Sequence, residues 1–67
     1  MNNKIKEIRK GKGMTQKTLA KNSKVSLSYI SKLEVGLRKT PGLKYANRIA
    51  SALETTIQDL FSYDESN

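Results

Sequence analysis

Thirteen lysines and arginines, no histidine and no cysteine in 67 residues decide which chemistry is open to this chain. Without cysteine there is no disulfide, no thiolate to bind zinc and no thiol nucleophile. Without histidine the usual general base near neutral pH is missing, and the only metal ligands left are carboxylates and carbonyls. The sequence offers no plausible nucleophile–base pair, and so short a chain has little room for a pocket. We therefore expect neither catalysis nor a cofactor nor a metal site. What remains is recognition by charge and hydrogen bonding.

The charge is unevenly placed. Residues 1–48 carry +11, and residues 49–67 hold no basic side chain and sum to −4, the acidic groups there being Glu54, Asp59, Asp64 and Glu65. A positive block of this size suits a polyanion, from which the acidic end would be held away. The alternative is that lysine-rich helix faces keep a small domain in solution. No run nears the roughly 18 apolar residues of a membrane span, and Met1-Asn2-Asn3-Lys4 is not followed by an apolar signal core, so a cytoplasmic location without membrane contact is expected.

Helices must position these groups, because strand signals are scarce and apolar residues recur at helical spacing. Ile5 and Ile8 give a first short stripe, capped by Asn2 or Asn3 and closed by Gly11 and Gly13. Thr15 caps a second helix from Gln16 to about Asn22, with Leu19 and Ala20 inward. Ser23-Lys24-Val25 turns the chain to Ser26, the N-cap of a third helix in which Ile30 and Leu33 face inward and which Gly36 ends. Past Pro41, the spacing of Leu43, Ala46, Ile49, Ala50 and Leu53 predicts the longest, amphipathic helix. Thr56 starts a last short helix, with Asp59 placed as a capping-box partner and Ile57, Leu60 and Phe61 inward. The predicted organisation is a compact all-α domain of five helices over residues 1–62, with a short acidic tail at 63–67.

Counting Gln16 as the first position of a two-helix unit, Leu19 and Ala20 are fourth and fifth, Val25 tenth, Ile30 fifteenth and Leu33 eighteenth. This is the pattern of a helix-turn-helix over about residues 16–34, in which Ala20 is small where the helices cross and Val25 plugs the turn.

Through Ile5, Ile8 and Arg9, Met14-Thr15-Gln16, Leu19-Ala20, Val25-Ser26, Tyr29-Ile30-Ser31, Leu33-Glu34, Gly36, Ala50, Ala52-Leu53 and Asp59-Leu60-Phe61, the chain resembles the Cro and phage-repressor (XRE-type) family over about residues 4–61. The resemblance implies a lambda-repressor-like five-helix fold that binds double-stranded DNA. It also implies an ion pair between Arg9 and Glu34, clipping the first helix to the third; the alternative is two ordinary surface charges. Three residues depart from the family pattern. Lys24 stands where glycine is commonest in the turn, which implies positive φ at a lysine. Leu27 stands where a polar base-reading side chain is common, and Glu54 where a glycine often follows the fourth helix.

With Ile30 and Leu33 inward, Leu27, Ser28, Ser31 and Lys32 point away from the body and form the expected groove-reading face. Lys32 can donate to guanine O6 and N7, Ser28 can donate to or accept from several base edges, and Leu27 can lie against a thymine methyl. Phosphate contacts are expected from Thr15, Gln16 and Lys17 at the start of the second helix, and by resemblance from Arg38, Lys39 and Thr40 in the following loop. Tyr29 could reach a phosphate or instead pack on the second helix.

The leading functional expectation is a transcriptional regulator, a repressor acting as a homodimer on an inverted repeat, because one recognition helix contacts too few base pairs for useful specificity. Ile57, Leu60, Phe61 and Tyr63 are the candidate dimer interface. The competing expectation is an antitoxin or accessory module that binds a protein partner, with DNA binding secondary.

Overall fold

The computed structural model describes residues 3–37 and 41–61. Within them lie five helices, α1 (Ile5–Gly11), α2 (Gln16–Ser23), α3 (Leu27–Glu34), α4 (Leu43–Ala52) and α5 (Ile57–Leu60). Arg38, Lys39, Thr40, Tyr63 and the acidic tail fall outside the described residues, as does Asn2.

Local chemistry sets most of the helix starts. The Thr18 N–H donates to Thr15 Oγ1 at 3.0 Å, the Tyr29 N–H to Ser26 Oγ at 3.1 Å and the Asp59 N–H to Thr56 Oγ1 at 3.1 Å. Each hydroxyl satisfies one otherwise unpaired helix N–H, an interaction worth about 1 kcal/mol. The reciprocal half of the capping box is altered, since the Asp59 carboxylate accepts from the Thr55 hydroxyl at 3.3 Å. At α1 the cap position is Lys4, which makes no side-chain cap bond, and Asn3 Oδ1 accepts from the Ile5 N–H instead.

Eight large side chains are fully buried: Ile5, Leu19, Ile30, Leu33, Ile49, Leu53, Leu60 and Phe61. Every helix contributes to this core, with Phe61 following directly on α5. Removing such side chains from water stabilises by about 1.5–3 kcal/mol each before entropy is counted, so a domain this small depends on all five helices. The first and last described residues are also tied together. The Lys4 N–H donates to the Leu60 carbonyl at 2.8 Å, Asn3 pairs with Phe61 in a short antiparallel bridge, and Asn3 Nδ2 donates to the Leu33 carbonyl at 2.9 Å.

Two expectations are corrected. Leu43 is 70% exposed rather than part of the α4 stripe. Gly42, Leu43, Lys44 and Tyr45 are all exposed, so the first turn of α4 overhangs the body and the buried stripe begins at Ala46. Leu60 and Phe61 do not form a dimer surface, because both are fully buried in the domain's own core. Their apolar area is already used in folding, which leaves Ile57, half-buried, as the only described member of that candidate set that retains exposure.

Candidate nucleic-acid interface

The α2–α3 unit turns tightly because of three residues. The Ser23 hydroxyl is buried and donates to the Leu19 carbonyl at 2.7 Å. Lys24 adopts φ 58° and ψ 37°, the left-handed conformation that reverses the chain. Val25, 5% exposed, seals the turn against the core. A lysine in this conformation carries about 1 kcal/mol of backbone strain that glycine would avoid, and Glu54, at φ 56°, does the same after α4.

With Ile30 and Leu33 at zero exposure, α3 is anchored on one side only. Leu27, Ser28 and Lys32 are exposed on the other side, and Ser31 is half-buried beside them. Leu27 keeps 45% of its surface in water at the tip of the helix. The face therefore offers an apolar contact, hydroxyls and one ammonium in about two turns, a set able to contact base edges in a major groove. Tyr29 is half-buried, and its ring lies 5.0 Å from that of Tyr45 on α4, so its packing partner includes the fourth helix.

At the start of α2 the Thr18 and Leu19 N–H groups are taken by Thr15, through Oγ1 and the carbonyl oxygen at 3.0 Å each. The N–H groups of Gln16 and Lys17 are first-turn donors without intrahelical acceptors, and Lys17 is exposed, so this end can receive an anion. The Gln16 side chain is engaged inside the fold: its Nε2 donates to Glu34 Oε1 at 2.9 Å.

Glu34 is the centre of a closed network. Arg9 Nε donates to Glu34 Oε2 at 2.7 Å and Arg9 Nη2 to Glu34 Oε1 at 3.1 Å, while Arg9 Nη1 donates to the Met14 carbonyl at 2.7 Å. The two side chains are only 8% and 3% exposed. Burial alone would raise the Glu34 pKa. The hydrogen bonds from Arg9 and Gln16, with the charges of Arg9 and Lys6, outweigh it and hold the carboxyl below the usual carboxylate range. This bidentate pair joins the end of α3 to α1, and Gln16 joins it to the start of α2, so the network fixes the angle at which α3 is presented.

Sequence reasoning passed over a group on α4. Arg48 lies 5.8 Å over the Tyr45 ring, and its Nη1 reaches the Lys24 carbonyl at 3.5 Å. The signal was available in the spacing, since Lys44, Tyr45 and Arg48 avoid the buried positions Ala46, Ile49 and Ala50 and interleave cations with an aromatic. Among the described residues, no group of three or more acidic side chains is placed to hold a metal, and no helix is long and apolar enough to cross a membrane.

A helix-turn-helix family model matches residues 5–60. The chain is 42% and 40% identical over 65 residues to two uncharacterised HTH-type transcriptional regulators of Archaeoglobus fulgidus, covering 97% of this chain and 90% and 91% of theirs. It is 37% identical over 57 residues to the HTH-type transcriptional regulator SlrR of Bacillus subtilis, covering 85% of this chain and 38% of SlrR. Among solved structures, a chain of the SinR protein–SinI protein complex superposes with a TM-score of 0.82 at 30% identity, covering 96% of this chain and 60% of that one. The chain thus spans well under two thirds of SlrR, somewhat under two thirds of the solved chain, and nearly all of the archaeal relatives.

Proposed function

The chain belongs to the Cro and phage-repressor (XRE-type) helix-turn-helix family of DNA-binding transcriptional regulators, and from that premise we propose that it is a sequence-specific repressor acting as a homodimer on an inverted-repeat operator. The observation that carries this reading is the outward face of α3, where Leu27, Ser28 and Lys32 are exposed on a helix locked from behind by Ile30, Leu33 and the Glu34 network. In this reading α3 enters the major groove, Ser31 supports the base contacts, and Thr15, Gln16 and Lys17 hold one backbone. Gln16 offers its backbone N–H and the second hydrogen of its amide, since the first is held by Glu34. Arg38, Lys39 and Thr40 hold the backbone after α3, and Tyr29 braces α3 against Tyr45. The protein acts in the cytoplasm, needs no cofactor and catalyses no reaction.

Dimerisation supplies the specificity that one helix lacks. A single α3 can touch only a few base pairs, whereas two copies bound about 34 Å apart, one helical turn, read a half-site each. Selection from a pool of random duplexes, followed by footprinting, tests the reading. The expected outcome is a palindromic pair of half-sites protected on one face of the helix. Enrichment of a single unpaired half-site contradicts the dimer, and no enrichment contradicts sequence-specific binding.

A second reading, an accessory module whose first partner is a protein, is favoured by one observation: the superposing chain comes from a complex between two proteins. Size-exclusion chromatography separates the two. A stable dimer of the protein alone supports the repressor, and a monomer that binds a single protein partner supports the module.

A further inference from the structure

Outside the α3 face, two cations meet in crevices that no described carboxylate lines. Lys24, Val25, Ser26, Tyr29, Tyr45 and Arg48 line a crevice between the turn and α4, and a second crevice running along the end of α2 shares Lys24 and Arg48. No described carboxylate lines either crevice. Glu34 is held by Arg9, Glu54 lies near Lys12, Asp59 bonds Thr55, and Glu7 is on α1.

We propose that Lys24, Tyr45 and Arg48 form a further backbone grip, additional to Thr15, Gln16 and Lys17 and to Arg38, Lys39 and Thr40, which takes a phosphodiester of the same DNA duplex on the opposite wall of the groove from Thr15, Gln16 and Lys17. The proposal rests on the reading of the chain as a binder of duplex DNA. Arg48 is already oriented for such a contact. The Tyr45 ring lies under its guanidinium and the Lys24 carbonyl takes one N–H, which leaves the rest of its planar donor fork for a phosphate. No carboxylate has to be displaced first. Because Ser26 and Tyr29 share the crevice, the grip adjoins Leu27 and Ser28, so an α3 tip seated in the groove brings a backbone wall to it. Spacing agrees as well. Lys24 directly follows the eight residues of α2, about 12 Å of helix beyond the Thr15 end, which is about the width of a major groove.

The test is the salt dependence of binding to a labelled random-sequence duplex of about two helical turns, read by fluorescence anisotropy across a potassium chloride series. Each lost phosphate contact flattens the slope of log K against log salt by about 0.9. Arg48→Gln and Lys24→Asn are each expected to flatten it by about that amount, and Arg48→Lys to restore it. Asparagine suits position 24 because it tolerates the left-handed backbone, so this variant carries the test if Arg48→Gln melts early. Lys10→Gln, which removes an α1 charge away from the crevice, should change the slope much less. If Arg48→Gln and Lys24→Asn leave the slope unchanged while Lys17→Ala flattens it, the grip by Lys24, Tyr45 and Arg48 is wrong and the duplex reading stands. Flattening by Lys10→Gln equal to that by Arg48→Gln shows a general field and also overturns the grip. A wild-type protein that binds no duplex overturns both.

Discussion

Arg9 and Arg48 carry the same side chain and meet opposite environments. Arg9 is buried, paired through two nitrogens with Glu34 and bonded by a third to the Met14 carbonyl, so its charge is cancelled and its donors are committed within the fold. Arg48 rests on the Tyr45 ring with one long bond to a backbone carbonyl and no acidic partner among the described residues. The difference separates two uses of positive charge. A guanidinium taken out of water needs a carboxylate, because an unpaired buried charge is too costly, and such a pair can serve only geometry. One left at the surface beside an aromatic keeps donors for an external anion. The net charge of +7 cannot tell these apart.

Breaking the closed network is expected to give the largest effect. Glu34→Ala leaves the Arg9 guanidinium buried without its counter-charge and frees the Gln16 amide, a loss of about 3–5 kcal/mol by analogy with other buried pairs. In a domain of this size, in which 1 kcal/mol moves Tm by about 4–8 °C, thermal denaturation would register a drop of tens of degrees or no folded state at all. An unchanged melting temperature would mean that Arg9 and Glu34 behave as ordinary surface charges.

Acid sharpens the same contrast. The Glu34 carboxyl is held below the usual range in the folded state, so its contribution to stability is fully present above the unfolded glutamate pKa of about 4.3 and is lost as pH falls through the lower folded value. Melting temperature should therefore lose a Glu34 component only below about pH 4.3, and Glu34→Gln, already less stable at neutral pH, should show a shallower acid decline. A decline of equal slope in both proteins would mean that Glu34 is not the group titrating. Arg48 has no carboxylate partner among the described residues to lose, so Arg48→Gln should follow the wild-type acid profile.

Much of this architecture is legible in the sequence, because its signals are local. Thr15, Ser26 and Thr56 announce helix starts by side-chain chemistry within three residues, and each accepts the expected N–H. The left-handed residues after α2 and α4 were foreshadowed by Lys24 standing where glycine is common and by Glu54 in a similar corner. The failures are non-local. Helical spacing groups Leu43 with Ala46 and Ala50 but does not say that the first turn of α4 extends past the body. Leu60 and Phe61 read as an apolar patch available to a second copy because their burial depends on the whole core, including Ile5 and the Asn3–Phe61 bridge. The α4 spacing shows Tyr45 and Arg48 on one face, but not that Lys24 joins them: Lys24 and Arg48 are 24 residues apart, and only the packing of α2 on α4 brings them together.

Whether α3 reads bases while flanking cations hold the backbone is decided by Lys32→Ala beside Lys17→Ala on two duplexes, the operator selected from the random pool and a scrambled version of it. Lys32→Ala is expected to weaken binding to the selected duplex by about 1–3 kcal/mol and to leave the scrambled duplex nearly unaffected. Lys17→Ala should weaken both alike and flatten the salt slope by about 0.9. Equal losses on the two duplexes from Lys32→Ala would contradict base reading by α3, because Lys32 would then be one more phosphate contact and the outward face of α3 would carry no sequence information.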